Sequence, residues 1–111
     1  MTINEYQTLA LRTAPTLSDA TQKLLNGLMG LNGEAGEAID ILKKSLFQGH
    51  PMDNEHMAKE LGDVAWYLAI SADAIGYKLE DIFRMNIGKL KDRYPDGFDP
   101  EKSQHRATGD I

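Results

Sequence analysis

Glu34 and Glu37 lie three residues apart, and so do Glu60 and Asp63. Side chains at i and i+3 share one face of a helix, so each pair projects together if its segment is helical. Four carboxylates at one place repel each other and resist losing water, so some must be protonated or a cation must hold them. With zero cysteines in the chain, all-oxygen ligation selects a hard ion, Mg²⁺ or Mn²⁺ before Zn²⁺. Solvated helix acids share this spacing. What favours a metal site is that the pair occurs twice, each time beside an apolar seam.

The opposite charge comes later. Asn86, Lys89 and Arg93 fall at i, i+3 and i+7 on one helical face, with Ile82 one turn earlier. A guanidinium fork and a lysine point charge hold phosphate oxygens, although a solvated cationic face has the same pattern. Lys43 and Lys44, one to two turns beyond Glu37, are further phosphate candidates. Trp66, Tyr67 and Tyr6 are candidates for stacking on a base, against the alternative of core or subunit-interface packing. None of His50, His56 and His105 stands in the Glu-x-x-His order of a di-iron bundle, and all three are read as structural or surface residues.

Four stretches have helical periodicity and none alternates as a half-buried strand. The expectation is an all-α, four-helix-bundle-like fold. The first helix starts at Thr2, with Glu5 in the capping-box position, and ends before Pro15. Ser18 is the candidate cap of a second helix at about residues 19 to 47, whose Leu24, Leu28, Leu31, Ala35, Ala38, Leu42 and Leu46 form one apolar stripe. Residues 48 to 51 break it, and Asp53 or Asn54 caps a third helix. Its seam is Met57, Leu61, Val64, Leu68, Ala72 and Ile75, with Gly76 as its stop. A fourth helix runs from Leu79 to about Tyr94 and is closed by Pro95. The short loop between the second and third helices makes them antiparallel neighbours, so the two acidic pairs can meet. Gly27, Gly30, Gly33 and Gly36 recur along the second helix, at roughly 0.8 to 1 kcal/mol each relative to Ala. Either close approach of another helix or open volume beside Glu34 and Glu37 offsets that cost.

A chain of 111 residues reads as one domain, residues 1–111, with residues 95–111 as a C-terminal arm that orders against another surface. At this size, burying its apolar residues calls for a partner chain. The formal net charge of −5 disfavours a nucleic-acid polymer or an anionic membrane as partner. The absence of cysteine, of a leader pattern and of an apolar run of membrane length gives a cytoplasmic expectation.

The segments Gly33-Glu34-Ala35-Gly36-Glu37, Glu60-Leu61-Gly62-Asp63-Val64-Ala65-Trp66-Tyr67-Leu68, Asn86-Ile87-Gly88-Lys89-Leu90 and Arg93-Tyr94-Pro95-Asp96-Gly97-Phe98 together resemble the MazG-like nucleoside triphosphate pyrophosphohydrolases of the all-α NTP pyrophosphatase superfamily. The superfamily's mark is E-x-x-E, a variable spacer, then E-x-x-D. The likeness spans about residues 27 to 106. It implies Mg²⁺-dependent hydrolysis of a nucleoside triphosphate to monophosphate and pyrophosphate, by attack of a metal-activated water at the α-phosphate, as in nucleotide-pool house-cleaning. It also implies a homodimer or homotetramer, metal ligation by Glu34, Glu37, Glu60 and Asp63, and phosphate contact by Asn86, Lys89 and Arg93. Glu37 and Glu34 are the catalytic candidates, with Glu37 leading as the ligand nearest the attacking water. Many relatives carry a further acid directly before the alanine-glycine motif or one turn earlier, where this chain has Asn32 and Gly33, so the number of metals and the general base stay open. Ser103 and Arg106 also match the family pattern, and the arm is expected to close over the site of its own or an adjacent chain. The alternative is a non-enzymatic helical interaction module that oligomerises through its stripe and has no metal-linked stability.

Overall fold

The computed structural model describes residues 1–111. It contains five helices and no strand: α1 (Ile3–Leu11), α2 (Ala20–Phe47), α3 (Asn54–Ala74), α4 (Leu79–Arg93) and α5 (Pro100–Gln104). The all-α expectation is met. The chain divides into two compact units, residues 1–79 and 80–111.

In the first unit, helix starts follow from side-chain oxygens that satisfy otherwise orphaned amides. Thr2 Oγ1 accepts from the Glu5 amide at 3.1 Å, and Asp53 Oδ1 accepts from the His56 amide at 3.1 Å, so Asp53 is the cap and Asn54 the first helical residue. The cap of α2 is Asp19 and not Ser18: Asp19 has the extended backbone and its Oδ1 accepts from the Gln22 amide at 2.8 Å. The Ser18 hydroxyl donates instead to the Gln22 side chain. At the far end of α3, Gly76 takes a φ of +79°, which lets the Tyr77 amide reach Ala72 O and the Gly76 amide reach Asp73 O, both at 2.9 Å. That is a Schellman closure.

Helix α3 packs on both α1 and α2. Gly27 faces Ser71, Gly30 faces Tyr67 and Glu34 faces Glu60 and Asp63, so rising numbers on α2 meet falling numbers on α3 and the pair is antiparallel. A methyl group built on Gly27 or Gly30 would collide with Ser71 or the Tyr67 ring, whereas Gly33 and Gly36 have nothing within 4 Å. The close-approach use thus occurs at Gly27 and Gly30, while Gly33 and Gly36 are exposed.

This close approach changes which part of α2 is covered. The helix meets α3 along Gly27, Gly30 and Glu34, so much of the expected leucine stripe is left at the surface of this chain. Leu28, Leu42 and Leu46 are 47%, 38% and 66% exposed. Leu61 and Ile75 of the α3 seam are exposed too, while Ala69, Ile70 and Ala72 are buried. Helix α1 is fixed by one buried polar residue. Gln7 donates through Nε2 to the carbonyls of Ala69 and Tyr77, at 3.2 and 3.3 Å, and accepts from the Leu79 amide at 2.9 Å.

The second unit holds most of α4 and the segment expected as an arm. That segment is more structured than expected. Asp99 caps α5, accepting from the Glu101 amide at 3.0 Å, and Pro100 occupies the first turn, where its missing N–H costs nothing. Tyr94 and Phe98 pack ring against ring, with centroids 5.3 Å apart. Asp110 reaches back to Arg93.

Candidate functional site

Among the four predicted metal ligands, three come together. One carboxylate oxygen from each of Glu34, Glu60 and Asp63 lies within 4.8 Å of the other two. Glu34 is placed by α2, Glu60 and Asp63 by α3. Glu34 and Glu60 are half-buried and Asp63 is exposed. Glu37 does not join the trio. Three residues fall about 60° short of a full helical turn, and with Glu34 directed at α3 that angle leaves Glu37 exposed. It still bears electrostatically on Glu34.

The electrostatics of the trio fit a bound cation. Glu34 has its pKa raised, first by a side-chain hydrogen bond with Glu60, then by burial and by the charges of Asp63, Glu60 and Glu37. No lysine or arginine forms an ion pair with Glu34, Glu60 or Asp63. Glu60 Oε1 meets His56 Nε2 at 3.2 Å, whereas Glu60 Oε2 is buried and has no partner while Glu34 is ionised, since only a protonated Glu34 could donate to Glu60. A buried carboxylate oxygen with no donor is costly, and a divalent ion bound by oxygens would satisfy it together with its two neighbours. The donor set therefore fits a hard cation. Tyr6 of α1 also bears on this corner: its hydroxyl pKa is raised, first by burial and then by the Asp63 charge.

The other predicted residues are placed as follows. Asn86 and Lys89 are exposed on α4. The Arg93 guanidinium forms two bonds of 2.7 Å with the two oxygens of Asp110, and both side chains are mostly covered, 10% and 13% exposed. Lys44 pairs with Asp40 at 2.9 Å, and Lys43 pairs with the same acid at 3.3 Å. Trp66 Nε1 donates to Ala10 O and Thr13 Oγ1, at 3.1 and 2.9 Å, so it anchors the end of α1. Tyr67 packs edge-on against Trp66 and lies against Gly30. These contacts favour packing over base stacking for Trp66 and Tyr67. Sequence reasoning passed over three contacts: His56 on Glu60, which the i, i+4 spacing signals; Asp40 on the two lysines, also signalled by spacing; and Asp110 on Arg93, which nothing local signals.

A family model described as the MazG nucleotide pyrophosphohydrolase domain matches residues 22–98, a span that includes the carboxylate trio, Glu37 and the Asn86, Lys89 and Arg93 face. A relative from Mycobacterium phage L5, named Gene 37 protein, is 34% identical over 79 residues, covering 68% of this chain and 69% of that protein. Its name states no activity. No solved structure matches the chain.

Proposed function

This chain belongs to the MazG nucleotide pyrophosphohydrolase domain family, and from that premise we propose that it hydrolyses a nucleoside triphosphate to the monophosphate and pyrophosphate with Mg²⁺, or Mn²⁺ in its place. The observation that carries this reading is the gathering of Glu34, Glu60 and Asp63 with one buried carboxylate oxygen unpartnered. A triphosphate is strongly anionic, and acids without a cation would repel it. When bound, the divalent ion supplies neutralising charge at the reacting phosphate and makes a nearby water more acidic.

In this proposal Glu34, Glu60 and Asp63 hold the ion. Glu37, free of the trio and one turn along α2, takes the proton from the attacking water. The water oxygen bonds to the α-phosphorus, the bond from that phosphorus to the bridging oxygen breaks, and pyrophosphate leaves in line. Asn86, Lys89 and Arg93 hold phosphate oxygens, and Lys44 serves as a further phosphate contact when it leaves Asp40. The natural setting is the cytoplasm, where triphosphates are kept, and the role is removal of unwanted nucleotides from the pool. No helix is long and apolar enough to cross a membrane.

The proposal includes a homodimer or homotetramer. Exposed Leu25, Leu28, Met29, Ile39 and Leu46 on α2 support it, because a run of apolar side chains on one helix marks an interaction surface. The test is pyrophosphate release over a panel of canonical and damaged nucleotides, with Mg²⁺, with Mn²⁺ and with EDTA. Release that depends on the cation is expected. Silence over the whole panel with both ions overturns the reading.

A further inference from the structure

The second unit has an open cavity of about 640 Å³ whose charged and basic lining is Lys89, Asp92, Arg93, Lys102, His105 and Asp110. Three of these basic side chains, Lys89, Lys102 and His105, have no ion-pair partner. The Asp110 carboxylate holds Arg93 fork to fork by two bonds of 2.7 Å, and the Tyr94 side chain is its other neighbour, with the ring centroid 5.8 Å from the guanidinium carbon. Asp110 is also under the charges of Arg106 and Lys89. Planar two-point recognition of this kind serves carboxylate and phosphate alike.

Asp110 is presented by a short turn. Its amide donates to Ala107 O at 3.1 Å, and Gly109 has a φ of +87°, a conformation that side-chain-bearing residues rarely adopt. Residues 107–109 are exposed, so apart from the Arg93 pair little holds this turn in place. The Asp110 carboxylate brings one negative charge to a cavity where four basic side chains outnumber one other acid, Asp92, while a di- or triphosphate brings several.

We propose that the Asp110 carboxylate stands in for a phosphate group, and that the polyphosphate of a nucleotide or pyrophosphate itself displaces it, with Lys102 and His105 joining Lys89 and Arg93 on the anion. Asp110 is thus a built-in competitor for Arg93, and the turn at residues 107–110 opens when substrate arrives. This rests on the reading of Lys89 and Arg93 as phosphate contacts. It adds two anion-binding residues and one residue that regulates access to them.

The experiment titrates inorganic pyrophosphate into the full chain by calorimetry in EDTA, so that the carboxylate trio takes no part. The proteins are wild type, Asp110→Asn, Asp110→Asn with Lys102→Ala, and Arg93→Ala. Asp110→Asn is expected to bind about tenfold tighter than wild type, the factor for a competitor seated in about nine molecules of ten. Adding Lys102→Ala loses affinity, and Arg93→Ala binds weakest. A second readout needs no variant: in wild type, pyrophosphate shifts the Gly109 amide resonance. Asp110→Asn binding no tighter than wild type, or a Gly109 resonance that stays still while pyrophosphate binds, overturns the proposal. Tighter binding by Asp110→Asn without nucleotide turnover supports the competitor and overturns only the hydrolase reading. Normal turnover with unchanged pyrophosphate affinity in Asp110→Asn overturns the competitor alone.

Discussion

Replacing the α2 glycines with alanine one at a time separates their two uses by sign. Alanine gains about 0.8 to 1 kcal/mol over glycine in a helix interior. At Gly33 and Gly36 nothing lies within 4 Å of the added methyl, so the gain stands alone. For 111 residues, 1 kcal/mol corresponds to about 4 °C in Tm, and each variant is expected to melt higher by about that much. At Gly30 the methyl meets three atoms of the Tyr67 ring, and at Gly27 it meets Ser71, whose Cα and Cβ are both 3.3 Å away. The ring is braced by Trp66, and a serine Cα does not move without its helix, so overpacking costs about 1 to 3 kcal/mol. Net of the propensity gain, these two variants lose about 1 kcal/mol. Calorimetric melting of the four proteins measures this, and a Gly30→Ala Tm as high as that of Gly33→Ala would refute the close-approach argument. Turnover adds a functional arm: if the space beside Glu34 and Glu37 receives substrate, Gly33→Ala and Gly36→Ala raise KM while they raise Tm.

Mg²⁺ at about one hundred times its dissociation constant is expected to add about 2.7 kcal/mol, or about 12 °C in Tm, with EDTA reversing it; a melt indifferent to both would remove the metal centre. Gln7→Ala strips the partner of the buried Leu79 amide and one donor each from Ala69 O and Tyr77 O; at about 1 to 3 kcal/mol for a buried group left unsatisfied, urea unfolding should show a loss of about 2 kcal/mol. The Arg93 hydrogen bond, foremost, holds the Asp110 carboxyl below its ordinary value, so the contact is fully formed above the usual carboxylate range and is lost as pH falls through the lowered value. Gly109 amide shifts followed from neutral to strongly acidic pH should place the transition below that of an ordinary aspartate, and a transition at the ordinary value would contradict the pairing.

Much of this was legible locally. Periodicity, Asp53 and Gly76 placed α3 closely, because caps and turns depend on neighbouring residues. Ser18 and Asp19 are both good caps, and only the backbone angles at Asp19 decide between them. The exposure of Leu28, Leu42 and Leu46 was not legible. The contact line of α2 is set by how closely Tyr67 and Ser71 of another helix approach two glycines, which the stripe does not encode. The matched spacing foretold that acids from two helices meet, but it treated the four as equal. The angle between Glu34 and Glu37, set against the direction of α3, makes them unequal. Arg93 and Asp110 are joined through a turn, so no helical spacing could signal the pair.

The most direct test of the central claim follows a nucleoside triphosphate by phosphorus NMR in Mg²⁺, with wild type beside Glu34→Gln, Glu60→Gln and Asp63→Asn, each checked for folding by circular dichroism. The wild-type products should be monophosphate and pyrophosphate, and each folded variant should lose turnover by two orders of magnitude or more, about 2.7 kcal/mol in barrier. Diphosphate and orthophosphate as products, or full turnover in all three variants, would contradict attack at the α-phosphate directed by this carboxylate trio.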